Sequence, residues 1–225
     1  SKDNPNVYMS MGITAENVAK KFNISRKEQQ EFAISSHKKA SSARDSNMFD
    51  DEIVSILNKN EKVNKDGGIR PNTSHEVLDS LKLVFDENGT VTAGTASPLT
   101  DGASAVIVCE EEYAKKNSLN ILARIKSTAV VGCPPELMGL GPINASKKAL
   151  KRANLSIKDI DIVELNEAFA SQSLACIKEL NMDIDKVNIH GGAIALGHHL
   201  GATGARITGK AVSYTHLRAH ETCVH

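Results

Sequence analysis

The run His190 to Arg206, HGGAIALGHHLGATGAR, constrains the fold more than any other part of the chain. Gly191, Gly192, Gly197, Gly201 and Gly204 are a third of the 15 glycines, gathered around the adjacent pair His198 and His199. Glycine at that density marks backbone in conformations, or at approaches, that a side chain would prevent. The spacing is neither GxGxxG nor GxxxxGK[ST], so a phosphate cradle is not indicated. His190, His198 and His199 have no acidic or cysteine ligand nearby in sequence, which argues against a metal site. Histidine aimed at a ligand by tight glycine turns fits better, because an imidazole near neutral pKa can shuttle protons and donate to an oxyanion.

The surrounding sequence reads as α/β. Ser25 and Glu28 form a capping box, and Phe32, Ala33, His37, Ala40 and Ala43 follow at helical spacing, predicting one helix to about Ala43. The polar stretch Asn58 to Thr73, with Gly67, Gly68 and Pro71, is expected to be an exposed loop. Strand-like runs at Thr90 to Ala93 and Ala105 to Cys109 flank the small-residue stretch Gly94 to Ala103. That stretch is either a plain strand connection or a place where backbone and the hydroxyls of Thr95, Ser97 and Thr100 approach a ligand. An apolar run at Ile121 to Val131, a helix near Ala145 to Ala153, a strand Ile162 to Leu165, a helix Glu167 to Leu180 and a strand Val187 to Ile189 then alternate as in α/β layers. Asn166 falls at a strand's carboxyl end, the usual ligand side of such sheets. Its amide either caps the following helix or holds a water or substrate oxygen. Met138-Gly139-Leu140-Gly141-Pro142 reads as a turn, and Cys109 and Cys176 as small core residues.

Composition narrows the partners. The 27 Lys and Arg balance 27 Asp and Glu, and the pI near 7.1 leaves no basic surface for capturing phosphate backbones, so nucleic acid is not an expected partner. No apolar run approaches the roughly 18 residues of a membrane span. Ser1 to Ser10 lacks the charged and apolar regions of a signal peptide. Cys109, Cys133, Cys176 and Cys223 form no CxxC pair, so neither a disulfide framework nor a zinc site is expected. A soluble protein in a reducing compartment, with no metal and no cofactor, is the expectation.

Five stretches together resemble the thiolase family in order and spacing: Gly12 to Ala33, NGTVTAGTASPLTDGASAV (Asn88 to Val106), MGLGPINASKKAL (Met138 to Leu150), ELNEAFASQ (Glu164 to Gln172) and GGAIALGH (Gly191 to His198). The run Ala129 to Pro142 is more similar to degradative 3-ketoacyl-CoA thiolases than to biosynthetic acetoacetyl-CoA ones. The resemblance extends from about Val7 to about Lys210 and implies an incomplete, layered thiolase-like α/β fold. Residues 1–97 would be the loop domain that covers coenzyme A, 98–120 the end of the N-terminal α/β domain, and 121–211 part of the C-terminal α/β domain. Residues 212–225 carry no thiolase pattern. VSYTHLRAHET within them resembles the read-through translation of a transposase sequencing adapter, and the segment is read as an artefactual tail.

The resemblance also implies a chemistry, the cleavage of 3-ketoacyl-CoA by CoA to acetyl-CoA and a shortened acyl-CoA in fatty acid degradation. In the family one cysteine is acylated and a second exchanges the α-proton. Neither cysteine motif occurs here, so the chain by itself is expected to be inactive. His198 matches the histidine that activates the nucleophile and donates to the thioester oxygen, and Asn166 the asparagine that holds a water in that oxyanion hole. Ser97 matches the serine bonding the pantetheine arm, while Phe85, Ala93, Met138, Ala168 and Phe169 match positions lining the CoA or acyl cleft. CoA is thus a substrate, the parent a homodimer or homotetramer, and the compartment a bacterial cytoplasm or an organellar matrix. His190 and His199 stand where asparagine and proline are usual, and Ser10 where biosynthetic members often carry histidine. A biosynthetic acetoacetyl-CoA thiolase and a non-catalytic CoA- or lipid-binding module are the alternatives.

Overall fold

The structure, a computed structural model, describes residues 8–221. Two helices open it. In α1 (Met11–Phe22) the Ser10 hydroxyl accepts the Ile13 amide at 3.4 Å, and Asn23, at φ 51°, closes the last turn in the left-handed conformation. Asn154 and Asn181 end later helices the same way, a conformation asparagine tolerates better than most residues. The capping box forms in α2 (Arg26–Asp45): the Ser25 amide donates to Glu28 Oε2 at 2.7 Å and the Glu28 amide to Ser25 Oγ at 3.2 Å. Such a cap contributes about 1 kcal/mol.

After α2 the stretch expected to be an uninterrupted loop begins with an exposed hairpin, β1 (Ile56–Asn58) antiparallel to β2 (Glu61–Val63). Lys59 and Asn60, at φ 44° and 76°, form its two-residue turn. The five-residue α3 (His75–Asp79) follows, and the Arg26 guanidinium holds its end by donating to the carbonyls of Leu78, Asp79 and Leu81 at 3.0, 3.1 and 2.7 Å. Thr90 to Ala93 is not a strand. Thr92 makes one bridge to Leu83, and the chain turns into a 3-10 helix at Ala93–Thr95. The buried Glu16 carboxylate holds this turn by accepting the amides of Thr90 and Val91 at 2.9 and 2.8 Å.

The remaining elements are α4 (Glu111–Lys116), α5 (Gly141–Ala153), α6 (Ala170–Leu180), α7 (Ala193–Leu196) and α8 (Thr203–Glu221), with 3-10 turns at Pro135–Leu140, Ile157–Asp159 and Ile184–Lys186. α1 packs on α6 and the Pro135–Leu140 turn, while α2 runs between α6 and α7. The main core joins Phe32, Leu78, Ile143, Leu165, Ile177, Leu180, Val187 and Ile194. A second core gathers Ala40, Phe49, Ile69, Ala195 and Leu196. Against it sits Lys210 of α8, 4% exposed, paired with Glu52 at 2.9 Å and lying 4.5 Å from the Phe49 ring centroid. α8 continues without a break through Val212; Cys223 and the rest of 222–225 lie outside the described residues.

The apolar runs Ala105 to Cys109 and Ile121 to Val131 form no strand among the described residues; in the second, the Val130 and Thr128 carbonyls accept from the Lys148 and Arg152 side chains instead. Cys109, expected in a core, is exposed, whereas Cys176 is buried as expected. Strand contact survives as single bridges, among them the parallel Val163 to Val187. Ile107 is 92% exposed and Val108 69%, which leaves apolar faces and unpaired ladder groups available for another chain. The 225-residue chain is therefore expected to self-associate with rising concentration in sedimentation velocity, and replacing Ile107 and Val108 by lysine should shift it toward monomer. A monodisperse, cooperatively melting unmodified chain would contradict this.

Candidate active site

The extended run Ala96 to Leu99 stitches two loops together. Ala96 bridges Phe169, the Ser97 amide donates to the Ala168 carbonyl at 3.0 Å, and the Ser97 hydroxyl reaches the same oxygen at 3.1 Å. Two residues on, the Pro98 carbonyl accepts the His198 amide at 3.4 Å, and Leu99 bridges His198 in parallel. Ser97, Ala168, Phe169 and His198 thus meet along one short segment. Phe85 joins them through its ring, edge-on to Phe169 at 6.2 Å between centroids. These contacts do not include Ala93, exposed in its 3-10 turn, or Met138, 44% exposed in the Pro135–Leu140 turn.

His198 stands at one wall of an open cleft of about 780 Å³ between residues 99–104 and 198–202. Its Nδ1 lies 2.9 Å from the Thr203 hydroxyl, which fixes the ring and leaves Nε2 as the nitrogen available for chemistry. Burial, then the nearby Arg206 and His199, hold its pKa below that of an ordinary imidazole, so it is a neutral base near pH 7. Gly197, at φ +94°, sets the approach, because a Cβ there would overlap the Thr100 side chain. The His199 carbonyl accepts the amides of Ala202 and Thr203 at 2.6 and 3.0 Å, closing the turn beyond it.

Asn166 does not cap a helix. The chain stays extended to Phe169, which occupies the cap position, and α6 starts at Ala170 rather than at Glu167. Asn166 Oδ1 is buried and takes no donor from the protein, as an amide oxygen placed for a water or ligand would be. Glu167 beside it, 1% exposed, accepts from Ser36, Asn188 and the Ile194 amide. Residue spacing alone gives this carboxylate no role; its signal is an acid at the strand-to-helix joint, three residues after Glu164.

Two further histidines are buried for structural ends. His37 Nδ1 accepts the Arg70 amide at 3.1 Å, and His190 packs edge-on to Phe49 and Tyr214 at 6.1 and 5.2 Å. Burial, with Arg70 and Lys210 respectively, lowers each to about 4. Glu164, ahead of Asn166, is pushed up by burial to about 7 against the pull of Arg206 and Lys210. Among the described residues, no cluster of three His, Cys, Asp or Glu side chains could hold a metal ion, and no helix is long and apolar enough to cross a membrane.

The thiolase N-terminal domain model matches residues 4–112 and the thiolase C-terminal domain model residues 119–224. A 3-ketoacyl-CoA thiolase of Shewanella loihica is 54% identical over 207 residues, covering 88% of this chain and 54% of its own. The peroxisomal 3-ketoacyl-CoA thiolase 1 of Arabidopsis thaliana is 48% identical, over 89% of this chain and 48% of its own. The crystal structure of human mitochondrial 3-ketoacyl-CoA thiolase in complex with CoA superposes with a TM-score of 0.92 at 47% identity, over 95% of this chain and 54% of that one. The fold is the thiolase-like α/β fold, carried in part. The chain belongs to the thiolase family, and it spans about half the length of the curated relatives it matches.

The two buried histidines generate a titration test. A histidine that binds its proton at about 4 when folded and at 6.5 when unfolded contributes stability above pH 6.5 that is lost as pH falls toward 4. The stability of the unmodified chain relative to His37→Gln should accordingly shrink across that window in urea unfolding, and the His37 ring proton should shift in NMR only near pH 4. Glu164 runs oppositely, its contribution being lost as pH rises through about 7, so Glu164→Gln should gain relative stability over the unmodified chain there.

Proposed function

We propose that this chain is the central part of a CoA-dependent acyltransferase that cleaves 3-ketoacyl-CoA with CoA, yielding acetyl-CoA and an acyl-CoA shortened by two carbons, in fatty acid degradation. The carrying observation is His198, held through Nδ1 by Thr203 in a cleft that the Ala96 to Leu99 run ties to the Asn166 loop. Relatives named 3-ketoacyl-CoA thiolase, bacterial and peroxisomal, support the reading, as does the CoA bound to the human mitochondrial structure.

Cleavage of a 3-ketoacyl thioester needs a thiolate at the ketone and a place for the charge on the departing enolate. Two cysteines from sequence beyond this stretch would complete the reaction, one supplying the thiolate that takes the acyl group and passes it to incoming CoA, the other protonating the departing enolate to acetyl-CoA. His198 takes its proton and then donates from Nε2 to the thioester oxygen. Asn166 accepts one hydrogen of a water through Oδ1, and that water's other hydrogen completes the oxyanion hole. Ser97, Phe85, Ala93, Met138, Ala168 and Phe169 line the path of pantetheine and acyl chain. With its hydroxyl already donating to the Ala168 carbonyl, Ser97 meets pantetheine as a hydrogen-bond acceptor. Residues 1–97 form the loop domain, 98–120 complete the first α/β domain, 121–211 belong to the second, and 212–225 are foreign to the enzyme. The functional unit is a homodimer or homotetramer in a bacterial cytoplasm or an organellar matrix.

The test is thiolysis by the full-length protein encoded by the gene. His198→Ala should lower kcat by about 10² to 10³ and His199→Ala by less, since losing one oxyanion donor costs on that order. Asn166→Ala should lower kcat with little change in KM, and Ser97→Ala should chiefly weaken CoA binding. Greater damage from His199→Ala, or serine or alanine at both cysteine positions of the full-length sequence, would overturn the reading.

A further inference from the structure

We infer that Glu167 is a positioning residue for the proposed reaction: its buried carboxylate locks the loop carrying Asn166 and the loop carrying His198 to α2. The inference rests on the functional reading above. Its geometry stands independently of that reading, in a cage whose members all donate to the carboxylate.

Glu167 Oε2 accepts the Ser36 hydroxyl at 2.7 Å and the Ile194 amide at 3.1 Å, and Oε1 accepts Asn188 Nδ2 at 2.8 Å. None of these partners can reverse its role at little cost. The Ser36 oxygen already accepts the Gly192 amide at 3.0 Å, so its one hydrogen is directed to Glu167. The Ile194 donor is main chain. Asn188 grips Leu165 on both sides, Oδ1 accepting its amide and Nδ2 donating to its carbonyl, each at 2.8 Å, and an amide flip would break both bonds. The cage therefore admits only an acceptor. Glutamine has the same shape but must point its NH2 at one of these donors whichever way it is turned. Aspartate falls short by one methylene. The space is as tight as the chemistry, because a Cβ at Gly192 would overlap the carboxylate.

The consequence falls on the two residues assigned to chemistry. Both chain neighbours of Asn166 are pinned, Leu165 by Asn188 and Glu167 by its cage, so the direction of the Asn166 amide is set from either side. On the other loop, the pinned amides of Gly192 and Ile194 start α7, whose Ala193 carbonyl accepts the Gly197 amide at 2.8 Å, one residue before His198. Ser36 brings α2 into the same group, so one carboxylate fixes the spacing of the two loops against a third element. A displacement of about 1 Å between reacting groups can cost on the order of 10² in rate.

The experiment compares Glu167→Gln and Ser36→Ala with the unmodified protein. In the full-length enzyme, folded Glu167→Gln should lose about 10²-fold in kcat with KM changed less than about threefold, and Ser36→Ala should lose about 10-fold with the same pattern. In the 225-residue chain, the same two variants should raise hydrogen exchange at the amides of Gly192, Ile194 and Leu165, with α1 unaffected. An active full-length enzyme whose folded Glu167→Gln or Ser36→Ala variant keeps its kcat overturns the positioning role. If the unmodified full-length protein shows no thiolysis, the functional reading fails. The exchange measurement then decides the tie between the loops, and unchanged protection at those amides refutes it.

Discussion

The Glu167 carboxylate, 1% exposed, takes three hydrogen bonds, and the joining of the Asn166 and His198 loops to α2 follows from that arrangement. A buried anion is costly unless surrounding donors hydrogen-bond it. Here the donors are Ser36 of α2 and, from the single segment 188–194, the left-handed Asn188 and the Ile194 amide, so the carboxylate joins stretches of chain far apart in sequence. The need to satisfy the charge is what obliges them to meet. Glu16 does the same at lower stakes, gathering the amides of Thr90 and Val91 and so fixing the turn that leads to Ser97.

This explains why the helix after Asn166 begins late. Glu167 to Phe169 has helical propensity, yet Glu167 is committed to its cage and Phe169 is drawn into a bridge with Ala96, leaving the backbone extended until Ala170. Tertiary hydrogen bonding overrides local preference there. The α2 capping box was legible because both partners lie three residues apart and need nothing from the rest of the chain. The apolar run at 105–109 reads as a strand for a sound reason, but a strand is defined by its neighbour, and no strand pairs with it among the described residues. The hairpin at 56–63 escaped notice because its strands are three exposed residues each and its turn lacks the Asn-Gly signal. α1 was overlooked although Ser10 and Asn23 mark its two ends.

Asn166 and His198 stand out from motif, and the hydroxyls of the Gly94 to Ala103 stretch from composition. What sequence did not convey is how those parts are joined. Ser97 was read as a hydroxyl, while its main chain does the stitching. Thr203 was read only as part of a glycine-rich run, while it orients the imidazole. Such roles depend on long-range register, which residue spacing does not encode. At His199, hydrogen bonds from two backbone amides to one carbonyl close the turn.

Arg26 offers a different kind of consequence. α3 has five residues, far below the roughly 12 at which an isolated helix begins to hold itself together in water, and three carbonyls at its end are held by one guanidinium from the first turn of α2. α3 thus has no lifetime of its own. Its place, and that of the Leu78 side chain it contributes to the main core, depends on α2.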